Sequence, residues 1–172
     1  MRIYFAHGKE SGPWGSKIRA LAELAESKGF EVDSVDYQNQ DDPDARVVRL
    51  LNILIREQSD ALLVGSSMGG YVSLVASRSF PVSGVFLMAP ALYIPEYEQQ
   101  SYCPGAAHVE IVHGTNDEVV PCANSERFSR EHDSRLHLIE GDHRLNSSLD
   151  TVKNLFSDFL DLFEVEGSRN LH

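Results

Sequence analysis

The chain has 172 residues, 42% hydrophobic and 24% charged, enough to bury the core of one domain over 1–172. Its 26 acidic and 15 basic side chains give a formal net charge of −11, a field that repels nucleic acid and anionic membrane and argues against both as partners. No apolar run reaches the roughly eighteen residues of a membrane span, and Met1 to Ala6 lacks the apolar core of a secretory leader, so a cytoplasmic protein is expected.

Short apolar runs alternate with helical patterns, the rhythm of a parallel sheet covered by helices. A first strand is expected over Arg2 to Ala6. The helix after it carries Ile18, Leu21, Leu24 and Ala25 on one face and stops at Gly29. A second strand over Glu31 to Asp36 leads to a helix opened by Asp42-Pro43, a cap followed by proline in the first turn. Its apolar positions Val47, Leu50, Leu51, Leu54 and Ile55 form one stripe. The aspartates from Asp41 to Asp44 suit a helix N-terminus and are read as capping rather than as a cation site.

The third strand, Ala61 to Val64, runs into Gly65-Ser66-Ser67-Met68-Gly69 and a helical segment, Gly70 to Ala76. Further strands are expected over Gly84 to Met88, His108 to Val112 and Arg135 to Ile139. The closing helix spans Ser148 to Phe163, with Leu149, Val152, Phe156, Phe159, Leu160 and Phe163 inward, and polar Glu164 to His172 should fray. Residues 90–107 have no clear period and hold Tyr93, Tyr97, Tyr102, Pro95 and Pro104. Two readings stay open there: a lid-like loop whose tyrosines line a pocket, or a connection packed by its own aromatics.

G-x-S-x-G at 65–69 arises by chance in about one chain of this length in twenty, so its setting must decide its meaning. A strand that reverses sharply into a helix brings the residues two before and two after the serine together, where a Cβ would clash. That turn leaves Ser67 strained, with its hydroxyl exposed beside the positive end of a helix. A structural Gly-Ser turn or a phosphate cradle are the rivals, and the lysine-serine ending of a P-loop is missing.

A serine hydroxyl needs a base, and the base needs an orienting acid. The run His113-Gly114-Thr115-Asn116-Asp117-Glu118-Val119-Val120-Pro121 puts Asp117 just past the fifth strand, with Pro121 starting a helix. Gly141-Asp142-His143 puts a histidine just past the sixth. Alone, Asp117 would be a turn residue and His143 a solvated one; in order, at strand ends, behind the elbow, they read as acid and base. Asp142 is a rival acid, but adjacent side chains rarely meet. His7 and His113, each before a glycine, are read as structural. Cys103 and Cys122 lie outside any C-x-x-C and are read as free, partly buried thiols; the seven histidines show no metal-ligand spacing.

On these three motifs the chain resembles the α/β-hydrolase superfamily, and within it the small single-domain bacterial esterase-like serine hydrolases. The resemblance covers His7-Gly8 to His143. It implies a three-layer α/β/α fold with a six-stranded parallel sheet in the spatial order 2-1-3-4-5-6 and no large cap. It also implies Ser67, Asp117 and His143 as catalytic residues. The backbone N–H groups of Met68 and Lys9 would form the oxyanion hole, although relatives often carry an apolar residue where Lys9-Glu10 stands. Trp14, Tyr93 and Tyr97 would face the substrate pocket. No cofactor or metal is expected, and the partner is a small-molecule ester or thioester. The alternatives are acyl transfer or another reaction on the same fold, or a binding protein that kept the scaffold.

Overall fold

Every apolar run becomes a strand in the computed structural model, which describes residues 1–164. The expected fraying beyond Glu164 lies outside the described residues. The strands are β1 (Arg2–Ala6), β2 (Glu31–Val35), β3 (Ala61–Ser66), β4 (Val82–Met88), β5 (Ala106–Gly114) and β6 (Arg135–Ile139). They form one all-parallel sheet in the order β2-β1-β3-β4-β5-β6, as the resemblance implied. The helices are α1 (Ser16–Ser27), α2 (Pro43–Glu57), α3 (Met68–Ser79), α4 (Cys122–Glu131) and α5 (Leu149–Asp161).

Alternation along the strands builds two cores. Ile3, Phe5, Leu62, Val64 and Phe86 face α1 and α5. Tyr4, Ala6, Leu63, Val85 and Leu87 face α2, α3 and α4. On the first side Phe156 is fully buried, with its ring centroid 5.1 Å from Phe86 and 6.3 Å from Phe5. Burial of one such ring stabilises by about 2–3 kcal/mol.

The helix ends follow local chemistry. Asp42 accepts from Asp44 N–H at 3.2 Å, with Pro43 in the first turn of α2. Beyond α1, Gly29 takes φ +88°, and Gly29 N–H and Phe30 N–H donate to Glu26 O and Ala25 O, closing a Schellman turn.

Several boundaries move. β2 stops at Val35, because the Asp36 carboxylate accepts from Gln38 N–H and turns the chain. β3 continues to Ser66, and β5 is longer at both ends, since Ala106 pairs with Val82 and Gly114 with Ile139. On α2 the buried face is Arg46, Val47, Leu50 and Leu54; Leu51 is half-buried and Ile55 is exposed, because the stripe narrows where the helix lies on α3. α5 begins at Leu149 after a 3-10 turn over Asn146–Ser148 and ends at Asp161, leaving Leu149 and Phe163 half-buried. Cys122 is half-buried as expected, but Cys103 is exposed: Tyr102 beside it turns inward, so the next residue of an extended chain turns out.

The β4–β5 connection crosses without a helix. Ala91, Leu92, Tyr93 and Tyr102 are buried in it, and Tyr93 and Tyr102 meet edge to face at 5.2 Å. It is tied down along its length. Ala91 N–H donates to Ser67 O, Asn124 Nδ2–H to Leu92 O, Gln99 N–H to Tyr71 Oη and Gly105 N–H to Ser77 Oγ. Among the described residues no helix is long and apolar enough to cross a membrane.

Candidate active site

At the C-terminal edge of the sheet, β3 passes into α3 through Ser67. A Cβ on Gly65 would stand 2.2 Å from Gly69 O, and one on Gly69 would stand 1.9 Å from Ala6 O. Only glycine fits either place. Ser67 has φ +54° and ψ −117°, a conformation that costs about 1–3 kcal/mol for a non-glycine residue. It is over-determined by its neighbours. Ser67 N–H donates to Met88 O at 3.0 Å, and Ser67 O accepts from the N–H groups of Gly70 and Ala91, both at 2.9 Å.

His143 comes in from the β6–α5 loop with its Nε2 at 3.0 Å from Ser67 Oγ. Its Nδ1 is 2.7 Å from Asp117 Oδ2, so Nδ1–H donates to the carboxylate and Nε2 is free to accept from the serine hydroxyl. The Asp117 side chain is fully buried. Its Oδ1 accepts from Val119 N–H and Val120 N–H, both at 2.8 Å. Burial pushes this carboxyl up, but the hydrogen bonds from His143, Val120 and Val119 outweigh it and hold the group below the ordinary carboxylate value. Asp142 takes no part, since its Oδ1 accepts from Arg144 N–H and Leu145 N–H within its own turn. Lys17 of α1 donates from Nζ to Arg144 O at 3.1 Å and so braces the histidine loop.

The two histidines read as structural are fully buried, and each braces part of this site. His113 Nε2–H donates both to Asp117 Oδ2 at 3.0 Å and to Val120 O at 2.9 Å, while Nδ1 accepts from Ser125 Oγ at 2.7 Å. Asp117 Oδ2 therefore sits between two imidazoles. His7 Nε2 accepts from Tyr37 N–H at 2.9 Å, and Nδ1–H donates to Gly8 O at 2.7 Å. The sequence reading missed the His113–Asp117 bond, although a spacing of four across a tight loop is short enough to have raised it.

An open pocket of about 860 Å³ surrounds Ser67 and His143. Ile18, Met68, Ala91, Ile94, Tyr97 and Val119 supply apolar lining; Lys9, Lys17, Asn116, Glu118 and Arg144 supply polar lining. Of the residues expected to face it, Lys9, Met68 and Tyr97 line it, whereas Trp14 and Tyr93 do not. Trp14 is 41% exposed ahead of α1. Tyr93 adopts φ +56°, which turns its ring inward under the Arg127 guanidinium, and its hydroxyl donates to Glu131. Met68 N–H is the first of α3 and has no carbonyl within the helix to bond. Among the described residues no group of three or more His, Cys, Asp or Glu is placed to hold a metal ion.

Residues 1–102 match the model of an uncharacterised protein family, UPF0227. A protein from Xanthomonas campestris pv. campestris, assigned to the α/β-hydrolase superfamily, is 30% identical with a TM-score of 0.82 over 94% of this chain and 98% of that one. Est1E from Butyrivibrio proteoclasticus shares the fold at 18% identity, with a TM-score of 0.82 over 94% of this chain and 87% of its own. Mouse alpha/beta hydrolase domain-containing protein 10 does so at 21% identity, with a TM-score of 0.76 over 94% and 90%. No curated protein matches the chain. By family model, sequence identity and fold together, the chain belongs to UPF0227 and to the α/β-hydrolase superfamily.

Proposed function

We propose that the protein is a serine hydrolase that cleaves a carboxylic ester or thioester through an acyl-enzyme on Ser67. The observation that carries this reading is the unbroken relay from Ser67 Oγ to His143 Nε2 at 3.0 Å and from His143 Nδ1 to Asp117 Oδ2 at 2.7 Å. His143 takes the hydroxyl proton as Ser67 attacks the acyl carbon, then gives it to the departing alcohol or thiol. Asp117 holds the ring tautomer and stabilises the imidazolium. Water, activated by the same ring, then releases the acid. The Met68 and Lys9 backbone N–H groups stabilise the tetrahedral oxyanion.

The apolar part of the pocket lining supports an acyl group as the portion of the substrate bound there. Ala91, Ile94 and Tyr97, all within 90–107, contribute to that lining in this reading. The opening leaves room for water at the acyl-enzyme. Est1E has also been solved with ferulic acid bound, and a carboxylic acid is the product class expected here.

The test is labelling by a fluorophosphonate probe, followed by turnover of p-nitrophenyl esters of graded chain length. The wild type should label and the Ser67→Ala variant should not, with turnover reduced on the order of 10⁴-fold or more. A folded wild type that neither labels nor turns over any ester overturns the reading.

A further inference from the structure

Arg46 is 1% exposed, and none of the ion pairs among the described residues includes it. Its partners are main-chain carbonyls. Nε–H donates to Gln40 O at 2.6 Å, and Nη1 donates to His7 O at 3.1 Å and Gly8 O at 3.3 Å. The guanidinium carbon stands 5.3 Å from the centroid of the Tyr37 ring. A buried cation with no carboxylate in ion-pair contact is a costly way to fill space between a helix and a loop. Its placement fixes the direction of two peptide groups.

In a trans peptide group the C=O of one residue and the N–H of the next point in opposite directions. Gly8 O is drawn inward by His7 Nδ1–H at 2.7 Å and by Arg46 Nη1. The Lys9 N–H of that same peptide group therefore points outward, to the pocket that Lys9 lines with Ser67 and Met68. The loop stands against the nucleophile: a Cβ on Gly8 would lie 3.6 Å from Ser67 Cβ. Hydrogen bonds from a cation to Gly8 O also polarise the amide, making its N–H a stronger donor.

We propose that Arg46 is a positioning residue of the active site: by clamping the His7 and Gly8 carbonyls it aims the Lys9 backbone N–H at the oxyanion formed when Ser67 attacks. The assignment rests on the serine hydrolase reading above. A lysine keeps the charge but offers one nitrogen, which cannot stand in for both Nε and Nη1. An apolar residue offers none.

The experiment measures kcat and KM for Arg46→Lys and Arg46→Met, normalised to active sites titrated with fluorophosphonate. Loss of an oxyanion donor lowers kcat on the order of 10²–10³-fold, with KM changed by less than about threefold and Arg46→Lys retaining more activity than Arg46→Met. A merely structural role lowers the yield of active sites and leaves kcat per site intact; that result overturns the inference. As a measurement independent of how the variants fold, the wild type is also titrated with an alkyl boronic acid while amide resonances are followed by ¹⁵N NMR. The Lys9 and Met68 amide protons should move downfield together. An adduct that moves Met68 and leaves Lys9 in place overturns the inference alone; absence of any adduct at Ser67 overturns the serine hydrolase reading with it.

Discussion

Replacing Asp117 by asparagine keeps the shape of the side chain but exchanges one acceptor oxygen for an NH₂ group that can only donate. Four donors converge on the carboxylate: Val119 N–H and Val120 N–H on Oδ1, and His143 Nδ1 and His113 Nε2 on Oδ2. An amide has one acceptor oxygen, and the two backbone donors cannot turn away, so they take it. The NH₂ group then faces both rings. His143 can meet a donor only with a bare Nδ1, which moves its proton to Nε2 and points it at Ser67 Oγ. The base is lost through the wrong tautomer, an effect on the order of 10⁴ in kcat, or about 5 kcal/mol of transition-state stabilisation. The fold loses charge-assisted hydrogen bonds worth about 1.5–3 kcal/mol, which lowers Tm by roughly 3–12 °C in a chain of this size. The variant should therefore be folded and nearly inert. Ester turnover per folded molecule, from pH 6 to 9, checks this. Turnover within tenfold of wild type would refute both the tautomer argument and Asp117 as the orienting acid.

Gly69→Ala drives a methyl group to within 1.9 Å of Ala6 O, against backbone that has nowhere to go, and should cost more than about 3 kcal/mol, read as lost soluble yield or a large drop in Tm. Tyr71→Phe removes the hydroxyl that donates to Asp44 at 2.8 Å and accepts from Gln99 N–H at 3.1 Å; denaturant unfolding should show a loss of about 1–3 kcal/mol. Burial holds Lys17 at about 8 rather than its ordinary 10.5, despite the pull of Asp142 and Asp117. Between those values the unfolded chain binds the extra proton, so this residue makes stability rise with pH across that window. Lys17→Met should remove that rise, and equal pH dependence of unfolding in the two proteins from pH 7.5 to 10 would count against it.

Much of the scaffold was legible because burial on both faces of a parallel sheet leaves unbroken apolar runs, as in Ala61 to Val64. The elbow was legible because close backbone approach leaves only glycine. Ends were less so: nothing local to Ala106 says that it pairs with Val82, a fact of the sheet rather than of the segment. Pocket walls were the weakest reading. Tyr93 and Tyr97 look alike in sequence, and only the left-handed turn at Tyr93 sends one ring to the core and leaves the other at the pocket. Arg46 was not singled out in sequence, yet it stands four and eight residues before Leu50 and Leu54, on the face that turns inward.

The β4–β5 connection rides on α3 and α4, joined to them through Tyr71, Ser77, Asn124 and Glu131. A hinged flap would impose its own clock on each catalytic cycle. A wall bolted at four points has none, so turnover here should be indifferent to solvent viscosity except where substrate arrival limits it. On the serine hydrolase reading, selectivity would then follow from a fixed mould, and an ester panel should show preference graded smoothly by acyl length rather than switched by closure.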